Sequence, residues 1–144
     1  MYFAFVRSMG AKTTPPGVLL LEKDIDLADS IRAFLEDSYR VFVTENPDEI
    51  QGFISRYSIH LVITDVDAPH PNLDKILKKI KSSEPQVKII LMYLFIDEDE
   101  ISEKSVFLDA DDIILKPFDV DVLRHKLDKL YKASQFSSYS KDLH

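Results

Sequence analysis

The sequence predicts an α/β domain in which a five-stranded parallel sheet is doubly wound, with helices on both faces. Three observations carry that prediction. Apolar, β-rich runs recur at intervals of about 20 to 28 residues, the length of one strand, one helix and their loops. The stretches between them space their apolar residues with helical period. The runs are continuous rather than alternating, as strands must be when helices cover both faces of a sheet. Five such units in succession make one α/β domain.

The elements follow in order. The first strand is 18–21, and the helix after it carries Leu27, Ile31, Phe34 and Leu35 at i, i+4, i+7 and i+8. After the second strand, 41–43, Asn46 can cap a helix, Pro47 suits its first position and Glu49 completes a reciprocal cap. Ile50, Phe53 and Ile54 then face inward, and Gly52 costs that helix ~1 kcal/mol relative to alanine. After the third strand, 61–64, Asn72 can cap a helix with Leu73, Ile76, Leu77 and Ile80 on one face. The fourth strand, 87–92, leads to a shorter helix at about 100–108. The fifth, 113–115, leads to a last helix with Val120, Leu123, Leu127 and Leu130 on one side. The domain is therefore 17–132. Thr13-Thr14-Pro15-Pro16 marks 1–16 as a flexible arm, and 133–144, polar and serine-rich, reads as a frayed tail.

At 144 residues and 45% hydrophobic, the chain can build one real core. Acidic residues outnumber basic ones 25 to 18, a net charge of −7. That surplus argues against direct nucleic-acid binding and against docking on anionic membranes. The lack of cysteine excludes disulfides, thiolate metal sites and cysteine nucleophiles. The three glycines, at 10, 17 and 52, match no phosphate-cradling loop. The histidines, at 60, 70, 125 and 144, are too far apart for an HExxH zinc site. The first apolar stretch, 2–6, is too short for a signal peptide, and no run has the length of a membrane span, so a cytoplasmic protein is expected. Carboxylates, hydroxyls and lysines remain to carry chemistry.

Open parallel sheets bind ligands beyond the carboxyl ends of their strands. The first strand runs into Glu22-Lys23-Asp24, the third into Asp65-Val66-Asp67 with Pro69 shortly after, and the fifth into Lys116-Pro117-Phe118. Each alone is an ordinary turn, cap or solvated loop. Together they bring carboxylates from two strands and an ammonium from a third to one rim. Grouped carboxylates bind Mg²⁺ through oxygen, and an aspartate among them can attack phosphorus.

On these residues the chain, over about 17–132, resembles the receiver domains of two-component response regulators, a flavodoxin-like fold. The resemblance makes Asp65, within LVITDVDAP, the phospho-acceptor, and Lys116 the lysine that contacts the phosphoryl group before a Lys-Pro peptide that is usually cis. It makes Glu22, Asp65 and the backbone carbonyl of Asp67 the ligands of Mg²⁺. The Asp-Ala-Asp-Asp at 109–112 is similar to the family's Gly-Ala-Asp-Asp. The partners implied are a histidine kinase or phosphotransfer protein and a downstream protein, with a homodimer through the last two helices and last strand. Exposed Arg124, His125, Lys126 and Lys129, near the acids at 97–100, would support such pairing.

The chain also departs from that pattern. Lys23 stands where the family has a second acidic metal ligand. Turned inward, it would leave Glu22, Asp65, Lys23 and Lys116 formally neutral (−2 against +2) without metal; turned outward, it would leave a weaker metal site. The switch position at the end of the fourth strand, a threonine or serine in the family, falls on Tyr93, or on Leu94 if the gap is placed differently. The aromatic switch position of the fifth strand falls on Ile113, which has no polar tip. Asp109 and Leu73 replace glycines. Three functions follow: a receiver phosphorylated weakly on Asp65, a phosphorylation-independent scaffold in which Asp65 pairs with Lys116, and a phosphatase similar to haloacid dehalogenases. The last would use Asp65 as nucleophile and Asp67 as general acid, but its order of motifs does not match.

Overall fold

The computed structural model describes residues 14–67, 70–94 and 109–142. Its elements are β1 (Gly17–Leu21), α1 (Ile25–Leu35), β2 (Arg40–Thr44), a 3₁₀ turn (Pro47–Glu49), α2 (Ile50–Arg56), β3 (Ile59–Asp65), α3 (Leu73–Ser83), β4 (Lys88–Leu94), β5 (Asp112–Lys116) and α4 (Val120–Asp142). The helix expected at 100–108 lies outside the described residues.

The strands form one parallel sheet in the order β2-β1-β3-β4-β5. Successive side chains of a strand point to opposite faces, so each apolar run feeds two cores. Val18 and Leu20, Leu61 and Ile63, and Ile90 and Met92 pack with Ile31 and Leu35 of α1 and Leu123 and Leu127 of α4. Leu19 and Leu21, Val62, and Ile89 and Leu91 pack with Ile50 of α2 and Leu77 and Ile80 of α3. Both faces of the central strands β1, β3 and β4 are covered by helices, and that is why these strands read as continuous apolar runs.

Gly17 is required where β1 begins: a Cβ there would lie 2.2 Å from the Ser58 carbonyl oxygen. Gly52 faces open space, so its helix-weakening effect serves no packing. Pro15 and Pro16, at the end of the expected arm, are tied down by Arg40, whose Nε donates to Pro15 O (2.8 Å) and whose backbone N–H donates to Pro16 O (2.9 Å).

Several local expectations are corrected. Asn46 accepts from Asp48 N (3.0 Å), but Glu49 makes no reciprocal cap; its carboxylate accepts from the Thr44 hydroxyl. The chain enters α2 through a 3₁₀ turn, and Thr44 Oγ1 already serves as acceptor for Asn46 N (3.2 Å). Asn72 makes no side-chain cap, because its backbone (φ −105°, ψ 0°) lies outside the extended region of capping residues. Its N–H donates to His70 Nδ1 instead (3.2 Å). Residues 133–142 are helical rather than frayed. No glycine or proline follows Pro117 to stop α4, and Ser134, 4% exposed, donates to Gln86 O (3.0 Å). Asp109 makes its turn without left-handed backbone, since no described residue has positive φ.

Arg124 and Lys126 are not free surface cations either. Arg124 donates to Ser38 Oγ (2.8 Å), Asp37 Oδ1 (2.9 Å) and the Phe34 carbonyl, and stacks 4.5 Å over the Phe34 ring. Lys126 pairs with Asp112 (3.1 Å). These contacts bind α4 to the end of α1 and to β5. The acids at 97–100 lie outside the described residues.

Candidate functional site

The chain order reverses between β1 and β3, and the carboxyl ends of these neighbours make the crevice of an open sheet. Leu21 is the last core residue of β1. The ladder continues one residue further through Glu22 N, which donates to Thr44 O (3.3 Å), and so holds Glu22 at the crevice, 5% exposed. β3 delivers Asp65 opposite Met92, and Val66 N donates to Met92 O (2.9 Å), which fixes the strand's exit. β5 ends in Lys116, opposite Leu94, and the Lys116–Pro117 peptide is cis.

These exits converge. Lys116 Nζ lies 2.8 Å from Glu22 Oε1, 2.9 Å from Asp65 Oδ1 and 3.8 Å from Asp67 Oδ2. Glu22 Oε2 accepts from Asp24 N (3.0 Å), whereas Oε1 has no described donor besides that ammonium. Burial alone would lower the Lys116 pKa. The hydrogen bonds and charges of Glu22 and Asp65 outweigh it and hold the ammonium above the usual lysine range. Lys23 is exposed at the border of the crevice and, among the described ion pairs, makes none with Glu22 or Asp65, so it does not neutralise them. Without Lys23 the count over Glu22, Asp65 and Lys116 is −2 + 1 = −1, and Asp67, 3.8 Å from Lys116, brings the rim to −2.

Asp67 does something the sequence did not announce. Its two carboxylate oxygens accept from the backbone N–H of Leu94, at 2.9 and 3.0 Å, and its own N–H donates to Asp65 Oδ1 (3.2 Å). Burial raises its pKa, opposed by the Leu94 N–H and reinforced by the Asp65 carboxylate. No local sequence signal marks this contact, because its main-chain donor lies 27 residues away on another strand. Of the expected switch positions, Tyr93 lies in the core on the α2/α3 face, only 5% exposed, and Ile113, half-buried, packs against the same cluster. A cavity of about 220 Å³ opens beside Asp65 between Glu22, Lys23, Asn46, His70 and Leu73. Leu73, in place of a glycine, walls it. His70, another residue the sequence reading passed over, lines it with Nε2 3.9 Å from Asp48.

The arrangement presents a carboxylate for attack on phosphorus with an ammonium at hydrogen-bond distance. Magnesium fits it poorly. The ion requires near-octahedral oxygen ligands at about 2.0–2.1 Å. Here Glu22 and Asp65 share the Lys116 ammonium, Asp67 is turned to Leu94, and the remaining acidic position is an exposed lysine. No group of three or more Asp, Glu or His side chains among the described residues is placed to hold an ion. Of the acids at 109–112, Asp111 stands away from this rim: it accepts from Ile89 N and from Lys81 (both 2.8 Å) at the start of β4, whereas Asp65 lies opposite Met92, three residues or about 10 Å further along the sheet.

Comparison with known proteins agrees with the geometry. The family model described as the response regulator receiver domain matches residues 18–128. The transcriptional regulatory protein CrdR of Helicobacter pylori is 30% identical over 116 residues, 79% of this chain and 54% of the relative. The aerobic respiration control protein ArcA of Escherichia coli is 28% identical over 105 residues, 72% and 43% respectively. The chain thus spans about half the length of the curated relatives it matches. A response regulator from Thermotoga maritima superposes with a TM-score of 0.71 at 28% identity, covering 83% of this chain and 99% of that one. A CheY-like receiver domain protein from Methanospirillum hungatei does so with 0.74 at 22%, covering 86% and 99%.

Proposed function

The chain belongs to the response regulator receiver domain family of two-component systems, and from that premise we propose that it accepts a phosphoryl group on Asp65, slowly. The observation that carries this reading is the Lys116 ammonium held between Glu22 and Asp65 at the switch point of the sheet. An Asp65 oxygen attacks phosphorus, the bond to the leaving group breaks, and Lys116 faces the charge that gathers on the phosphoryl oxygens. The donor is a histidine kinase or phosphotransfer protein, and the output is contact with a downstream protein, in the manner of the family. Receiver domains commonly bind Mg²⁺ at this site. Because this donor set does not suit the ion, no step here runs through it. The exposed Lys23 stands at the position of the second acidic ligand, so the acceptor lacks that support, hence the slow rate.

Incubation with acetyl phosphate followed by intact-mass measurement tests the proposal. A slow gain of ~80 Da, the mass of one phosphoryl group, is expected, absent in Asp65→Asn. Rapid, complete, Mg²⁺-dependent labelling would overturn the slow, metal-poor reading, and labelling that survives Asp65→Asn would overturn the acceptor. A second reading, a scaffold that works without phosphorylation, is favoured by the two switch positions themselves: Tyr93 is buried in the core, Ile113 is half-buried against it, and neither side chain carries a short hydroxyl.

A further inference from the structure

Two donors border the Asp67 carboxylate: Leu94 N–H, at 2.9 and 3.0 Å, and Lys116 Nζ, at 3.8 Å. Lys116 also touches the acceptor oxygen of Asp65, at 2.9 Å. An anion put in place of that carboxylate would therefore meet a main-chain N–H and an ammonium beside Asp65. A phosphoryl group on Asp65 brings three acceptor oxygens and a charge of about −1.5 to −2. It must find donors at this rim, and one of them is already taken by a resident negative charge.

We infer that Asp67 is an anionic latch: its carboxylate occupies Leu94 N–H in the unmodified protein, retards phosphorylation of Asp65, and gives up Leu94 N–H to the phosphoryl group once it is bound. This rests on the reading of Asp65 as acceptor. The exchange gives the end of β4 a way to register modification although Tyr93 is committed to the core. In the reaction, an Asp65 oxygen attacks the phosphorus of acetyl phosphate. The P–O bond to acetate breaks, acetate leaves with the bonding pair, and the carboxylate neither gains nor loses a proton. Asp67 takes no part in these bond changes; it sets which donors are free to receive the phosphoryl oxygens.

The test compares acetyl phosphate labelling of the wild type, Asp67→Asn and Asp67→Ala, with the Leu94 amide followed by ¹H–¹⁵N NMR. Asp67→Ala frees the donor and removes the charge, and should label about ten-fold faster. Asp67→Asn keeps an acceptor for Leu94 N–H without the charge and should fall between. In the wild type the Leu94 amide resonance should move on labelling. Equal or slower labelling of both variants, with a folded Asp67→Asn shown by an unchanged melting curve, overturns the latch while Asp65 remains the acceptor. An unmoved Leu94 resonance in labelled wild type does the same. Failure of all three proteins to label overturns the acceptor reading itself, and the latch with it.

Discussion

At the scale of single residues, Lys116 is the pivot of the site. Its side chain is 13% exposed, and those of Glu22 and Asp65 are 4% and 11% exposed. Removing the ammonium leaves two nearly buried carboxylates facing each other. Lys116→Met should cost about 3 kcal/mol in urea unfolding, and Glu22→Gln in the same chain should recover part of it. The pH dependence has a definite sign. The folded pKa lies above the ordinary 10.5, so this stability is present below about 10.5 and is lost as pH rises through the folded value. Lys116→Met should flatten that alkaline loss. Glu22, Asp65 and Lys116 were legible in the sequence because each directly follows an apolar run, and a parallel strand delivers its next residue to the rim. The direction of Lys23 was not, because two residues past the end of β1 the backbone no longer dictates where a long side chain points. The contact of Asp67 with Leu94 was hidden for another reason: unlike the local donor that Asn46 caps, its main-chain donor comes from a different strand 27 residues away.

At the scale of elements, boundaries depended on tertiary contacts more than on caps. The start of β1 is held by Gly17 N, which donates to His60 Nδ1 of β3 (3.2 Å), and the imidazole meets the Tyr131 ring of α4 edge-on. Only an unprotonated nitrogen can accept that bond. Burial first, and the Arg40 charge second, hold His60 below its ordinary 6.5. The unfolded chain therefore takes up the proton more readily, so the contribution is complete above 6.5 and is lost as pH falls below it. Thermal melts at about pH 7 and 5.5 should show a fall in melting temperature that His60→Gln, which keeps an acceptor but does not titrate, largely removes. An equal fall in the variant would assign the effect to other groups. Helix periodicity placed all four described helices, since each must bury a stripe of apolar residues. It missed the reach of α4 through Asp142, because the polar residues after 132 carry no apolar period to read.

At the scale of the whole molecule, the sheet order brings three strand ends to one crevice and sets the acidic surplus there at −2. A ligand that binds only the folded state raises stability by RT ln(1 + [L]/Kd). With the acidic ligand replaced by an exposed Lys23, ~10 mM Mg²⁺ should leave the melting temperature within ~1 °C, whereas Lys23→Asp should restore a clear rise. A large rise in the wild type would show that Glu22 and Asp65 release Lys116 to the ion. Among the described residues no helix is long and apolar enough to cross a membrane. The sequence by itself determined the architecture and the chemical identity of the rim, because hydrophobic period and strand exits are local properties of the chain. Only the tertiary structure decided the electrostatic state of that rim: which carboxylates share Lys116, that Lys23 does not neutralise them, and that Asp67 turns to Leu94. Those are competitions between groups from different strands, and no single segment of sequence contains both competitors.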